Sequence, residues 1–177
     1  MLWLAVLVMP LPVFSQVTVI LSRHAEKAAA PAKDPTLTPA GEQRAQLLAS
    51  MLADSGVDQI FVTELQRTQQ TAAPLAARTH VKPTVIPADD TDQLVRAIRD
   101  RKSGVVVVIG HSNKLPQIVA ALGGPAVKIP ETEYDNLFVL TVGTTQSLLL
   151  WLHYGSSAPV PLTGRDMEHS MTGGPVK

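Results

Sequence analysis

The sequence predicts an α/β domain: a mostly parallel sheet with helices on both faces and a C-terminal antiparallel hairpin. Three observations carry this reading. Val17-Thr18-Val19-Ile20-Leu21 and Gly104-Val105-Val106-Val107-Val108-Ile109 are nearly continuous β-branched runs, as expected of strands covered on both sides. Segments with apolar residues at helical spacing alternate with such runs along the chain. Near the end, residues 137–142 and 147–154 flank Gly143-Thr144-Thr145, a connection that fits a hairpin.

Taken in order, the first strand stops at Arg23-His24, and the Ala- and Pro-rich stretch 28–39 reads as a loop. Thr38 fits an N-cap with Pro39 at the first helical position. Ala45, Leu48, Ala49 and Leu52 then recur on one helical face, and Gly56 falls just past the end. Residues 59–63 form a short strand candidate and 68–78 a helix candidate, with Pro74 an awkward residue inside it. A strand is expected over 84–87, and a helix over 91–101 with Leu94, Val95 and Ile98 inward. The valine strand at 104–109 leads to a helix near 114–122, closed by Gly123-Gly124. No internal repeat is evident.

A chain of 177 residues suits one ordinary domain, expected here over 16–154. Lys+Arg and Asp+Glu are both 15, so the net charge is zero. A general nucleic-acid or anionic-membrane binder would carry a basic excess, so neither partner is expected and any anion site must be local. With no cysteine, disulfides, thiol nucleophiles and thiolate zinc sites are excluded. Residues 1–15 are almost wholly apolar but too short to span a bilayer. They are read as a signal peptide ending near Ser15, which implies an exported protein, or as an apolar extension of a cytoplasmic one. Residues 155–177, His169 among them, lack apolar periodicity and read as a loose tail.

Polar residues gather where strands end. Arg23 and His24 follow the first strand; Arg67 follows Phe61-Val62 at a helix start; His111 follows the valine strand after Gly110, which is expected to allow a sharp turn. Parallel strands deliver such ends to one side of the sheet, at the crevice where open α/β sheets bind ligands. Two arginines and two histidines meeting there would form a compact cationic pocket, for which a phosphate dianion is the natural guest.

Four elements together resemble the histidine phosphatase superfamily, which includes cofactor-dependent phosphoglycerate mutases and phosphohistidine phosphatases. They are Leu21-Ser22-Arg23-His24-Ala25-Glu26, Leu37-Thr38-Pro39-Ala40-Gly41, Arg67-Thr68-Gln69-Gln70-Thr71-Ala72 and Val108-Ile109-Gly110-His111-Ser112. The resemblance implies a hydrolase in which His24 is the nucleophile, Arg23 and Arg67 bind phosphoryl oxygens, and His111 completes the pocket. It also implies that neither metal nor cofactor is needed, the guanidinium groups stabilising the transferring group's charge. The expected substrate is a small phosphorylated molecule or a phosphoprotein, with Lys27, Asn113 and the stretch 131–135 candidates for its recognition.

The proton donor to the leaving group is left open. Ser112 stands where one branch of the family has an aspartate, and beyond the third strand only Asp89, Asp90 and Asp92 are at hand. Asp90 is favoured, with Asp89 and Glu26 as further candidates and Glu64 also near the pocket. Capping of the helix at Thr91 is the competing role for the aspartates. Three rival readings are a serine hydrolase through Gly110-His111-Ser112, a phosphate-binding module without turnover, and a mutase. The first lacks the fifth-position glycine of the nucleophile elbow. The last lacks the length for a lid. His80 and His153 are expected to be packing or surface residues.

Overall fold

A computed structural model describes residues 16–144 and 146–156. The signal peptide or extension at 1–15, and the tail from 157 on with His169, lie outside the described residues. The elements run β1 (Val17–Arg23), α1 (Pro39–Leu52), β2 (Val57–Val62), α2 (Gln66–Thr79), β3 (Thr84–Val85), α3 (Thr91–Arg99), β4 (Gly104–Gly110), α4 (Leu115–Ala121), β5 (Asn136–Val142) and β6 (Leu148–His153). They build one sheet of order β3-β2-β4-β1-β5-β6. The pairs β1–β4, β2–β4 and β2–β3 are parallel, whereas β1–β5 and the β5–β6 hairpin are antiparallel.

The continuous apolar runs are explained by burial on both faces. In β4, Val106 and Val108 face one core with Leu94 and Ile98 of α3 and Leu115, Ile118 and Val119 of α4. Val107 and Ile109 face the other, with Leu48, Ala49 and Leu52 of α1 and Ala72 and Leu75 of α2. Helices α1 and α2 therefore cover one face, α3 and α4 the other. The outer strand β6 is less covered: Leu148, Leu150, Trp151 and Leu152 are all exposed.

Local chemistry sets the boundaries. Thr38 caps α1 by accepting from the Gly41 amide at 3.1 Å, with Pro39 in the first turn. A Cβ at Gly41 would run into the Glu26 carbonyl, so this helix start lies flush against the chain leaving β1. Helix α2 has no capping side chain of its own at Leu65. Asp34, reaching in from the preceding loop, accepts from the Gln66 amide at 2.9 Å instead. Pro74 stays within an unbroken α2, half-buried. Several expectations move: β2 begins at Val57 rather than 59, β3 stops at Val85 rather than 87, and α3 ends at Arg99 rather than 101. Pro87 lacks an N–H to extend the β3 ladder.

Candidate active site

The sheet topology places the three sequence sites at one edge. Arg23 is paired in register with Gly110, and the His24 amide continues the ladder by donating to the Gly110 carbonyl at 2.9 Å. The next residue along β4 is His111, so the two histidines are brought side by side by strand register alone. Their ring centroids are 5.4 Å apart, edge to face. Gly110 does not take the turn conformation expected of it, being absent from the positive-φ glycines. Its role is spatial: a Cβ there would stand 2.8 Å from the Leu115 side chain.

His24 is buried, and its Nδ1 lies 2.8 Å from the Ala25 carbonyl. A carbonyl only accepts, so the ring proton sits on Nδ1 and Nε2 carries the lone pair when the ring is neutral. Burial pushes the His24 pKa down to about 3, and the charges of Arg23, His111 and Arg67 push the same way against the Ala25 hydrogen bond. Burial likewise lowers His111 to about 4, assisted by Arg67 and Arg23 and opposed by Glu64 and Glu131. Both imidazoles are neutral at pH 7. His111 Nε2 is 3.2 Å from the Thr63 hydroxyl, which in turn meets the Thr68 hydroxyl at 2.9 Å.

Arg67 stands in the first turn of α2, and the polar residues after it do structural work. Thr68 is tied to Thr63, Gln70 accepts from the Leu37 amide at 2.8 Å, and Thr71 accepts from the Ala25 amide at 3.0 Å. Those bonds fix α2 against the loop after His24 and so set the place of Arg67. Its Nη1 lies 4.0 Å from Asp34, while its Nε is buried with no partner among the described residues.

Arg23 is only 2% exposed. Its Nη1 donates to the carbonyls of Glu131 at 2.7 Å, Glu133 at 2.9 Å and Pro130 at 3.3 Å. Its Nη2 donates to the Glu131 carboxylate at 2.7 Å, and its guanidinium carbon lies 4.1 Å from the Tyr134 ring centroid. The Nε of Arg23, like that of Arg67, is buried and unpartnered among the described residues. Two guanidinium groups thus each retain a desolvated N–H beside a neutral imidazole, a combination suited to an oxyanion.

The remaining candidates separate. Glu26 is bound to Arg44, whose Nε meets both its oxygens at 2.9 and 3.0 Å; this carboxylate is committed to a structural ion pair. Arg44 also donates to the carbonyls of Tyr154 and Ser156 at 2.7 Å. Asp90 caps α3, accepting from the Gln93 amide at 2.9 Å, yet it also lines a cleft shared with Thr63, His111 and Lys114. Asp89 is exposed, and so are Lys27 and Asn113. Glu64, exposed, accepts from the Ala88 amide at 2.8 Å. The Ser112 hydroxyl donates to Glu131 and not to a histidine, against the serine-hydrolase arrangement. His80 is the left-handed C-cap of α2, and His153 pairs with Asp135 at 3.2 Å.

Glu131 and Tyr134 are individual contributors that strand-end reasoning did not single out. Both precede a strand. Because β5 runs antiparallel to β1, its beginning, not its end, reaches the crevice.

This fold and site define a class: three-layer α/β proteins in which two strand-end histidines and two arginines meet at one sheet edge. A model of the histidine phosphatase superfamily (branch 1) matches residues 19–94, the span that carries Arg23, His24 and Arg67. Among solved structures, the protein histidine phosphatase SixA complexed with tungstate superposes with a TM-score of 0.65 at 19% identity, covering 77% of this chain and 96% of that one. An α-ribazole-5'-phosphate phosphatase candidate from Escherichia coli gives 0.65 at 16% identity, covering 78% and 96%. A phosphoserine phosphatase from Entamoeba histolytica, in complex with 3-phosphoglyceric acid, gives 0.61 at 14% identity, covering 79% and 98%. At these identities the likeness is one of fold. A curated relative, the PE-PGRS family protein PE_PGRS11 of Mycobacterium tuberculosis, is 50% identical over 54 residues. That match covers 30% of this chain and spans only 9% of the relative's length.

Proposed function

We propose that this chain is a phosphatase that hydrolyses a phosphomonoester or a phosphohistidine through a phosphohistidine intermediate on His24. The observation that carries this is the neutral His24 ring, its proton held on Nδ1 by Ala25, with Arg23, Arg67 and His111 near enough for their charges to act on it. In the first step Nε2 attacks phosphorus, the P–Nε2 bond forms and the bond to the leaving group breaks in line. The leaving group departs with the bonding electron pair and takes its proton from solvent. In the second step water attacks phosphorus, the P–Nε2 bond breaks, and inorganic phosphate leaves with His24 neutral again. The Nε–H groups of Arg23 and Arg67 stabilise the charge on the phosphoryl oxygens in both steps, a role requiring no divalent ion.

The carboxylates bear on the choice of substrate. Glu26 is held by Arg44, and Asp90 spends one oxygen on a helix cap. A pocket with its carboxylates so engaged favours leaving groups that need little protonation, phosphohistidine among them. The likeness in fold to SixA, named as a protein histidine phosphatase, supports the same reading. We take residues 1–15 as an export signal, with an apolar extension of a cytoplasmic protein the alternative.

Turnover of p-nitrophenyl phosphate and of phosphohistidine, with quenching in alkaline detergent to trap the intermediate, tests this. An acid-labile, alkali-stable phosphoenzyme is expected in the wild type and none in His24→Ala. Binding of phosphate without turnover of either compound would assign the chain to the non-catalytic alternative. EDTA is expected to leave the rate unchanged.

A further inference from the structure

Glu131 sits in the connection between α4 and β5, and its side chain is 74% exposed. A carboxylate so exposed is ordinarily solvated and of little structural account. This one is fully employed. One oxygen accepts from the Ser112 hydroxyl, the other from Arg23 Nη2 at 2.7 Å, and the backbone carbonyl of the same residue accepts from Arg23 Nη1.

We infer that Glu131 is a positioning residue, which turns the Arg23 guanidinium so that its Nε–H, with the second Nη2 proton beside it, remains for the phosphoryl group. This inference rests on the phosphatase reading and deepens it. The bridge joins the two strand ends that carry the histidines: Arg23 precedes His24, and Ser112 follows His111. One carboxylate therefore reads the relative position of β1 and β4 at the site itself. The three carbonyls of residues 130, 131 and 133 alone contact only Nη1. Without a partner on Nη2 the guanidinium plane can turn about its bonds, because the Tyr134 ring below restrains tilt but not in-plane rotation. The hydrogen bond from Ser112, with Arg23 and Lys27 helping, holds the Glu131 carboxyl below the usual carboxylate range, so the bridge is ionised across the working pH.

The role is separable from both fold and charge. Glu131→Gln can keep both bridging bonds, its carbonyl accepting from Arg23 and its amide donating to Ser112, while losing the charge. Glu131→Ala loses both. In the full chain, the dissociation constant of inorganic phosphate, by calorimetry and by inhibition of p-nitrophenyl phosphate turnover, is expected to rise about tenfold in Glu131→Ala, the scale of one misdirected bond to a charged group. KM should follow phosphate affinity more closely than kcat does. Glu131→Gln should bind within about threefold of the wild type. Ser112→Ala should weaken binding, and the double variant Ser112→Ala/Glu131→Ala should be no weaker than the weaker single one, since both break the same bridge. Wild-type phosphate affinity in Glu131→Ala, an equal loss in Glu131→Gln, or multiplying effects in the double variant would each overturn the inference. Failure of the wild type to bind phosphate at all would overturn the phosphatase reading beneath it.

Discussion

The rings of His24 and His111 stand 5.4 Å apart at an interplanar angle of 61°, and His111 lowers the tendency of His24 to take a proton. Two imidazolium ions so close, beside two arginines, would repel strongly in a partly desolvated pocket. The pair is therefore neutral in the free protein, as a nitrogen nucleophile must be.

This has a kinetic consequence. With His24 held at about 3 and His111 at about 4, the acid limb of kcat/KM is set well below the ordinary imidazole value. Activity on p-nitrophenyl phosphate should fall only below about pH 5, against about 6.5 for an unperturbed histidine. A pH–rate profile with its acid limb centred near 6.5 would show that the pocket does not suppress protonation.

The same shifts act on stability, and the sign is definite. Both folded-state values lie below the ordinary imidazole value of 6.5, so between about pH 4 and 6.5 the unfolded chain binds protons that the folded one does not. The contribution is complete above that window and is lost as pH falls through the folded values. The thermal midpoint is expected to decline steadily from pH 7 to 4.5. A His24→Asn/His111→Asn variant should show a shallower decline.

Arg67→Ala tests the desolvated donor near His24, the proposed nucleophile. Losing one hydrogen bond to a charged oxygen should weaken phosphate binding about 10- to 100-fold and lower kcat as well. Arg101 offers a control. Its Nε is also buried without a partner among the described residues, but it pairs with Asp58 at 2.6 Å near the opposite end of β2 and β4. Arg101→Ala should leave phosphate affinity unchanged, as read by calorimetry.

Arg44 and Glu26 form a brace between the loop after β1 and α1, extended to the chain after β6 by Arg44. Arg44→Met leaves the carboxylate and two backbone carbonyls without this partner, and should cost about 3 kcal/mol of stability in denaturant melts. Glu26→Gln should lower the melting temperature while leaving kcat for p-nitrophenyl phosphate unchanged. A large fall in kcat with an intact fold would return Glu26 to the role of proton donor.

Much of this was legible in the chain itself, for a physical reason. Strands buried on both faces leave a continuous apolar record, and parallel strands carry residues to the crevice immediately after that record stops. Arg23-His24, Arg67 and His111 all follow such a stop. Glu131 escaped individual notice because the rule looks past strand ends, whereas β5 runs the other way and brings its preceding loop to the same place. Glu26 misled in the opposite sense. It stands two residues from His24 in sequence, but Arg44, eighteen residues further on, claims it. The cap on α2 was equally hidden, since Asp34 supplies it from a loop thirty-two residues before Gln66.

The loop entering β5 is anchored at both ends by contacts outside its middle. Gly124 N donates to the Val119 carbonyl at 2.9 Å, and the Asp135 carbonyl accepts from Tyr154 N at 2.9 Å. The stretch between also grips Arg23 through Glu131 and Tyr134, so any change of sequence there that alters which molecules are admitted is confined to side chains that touch neither Arg23 nor Ser112.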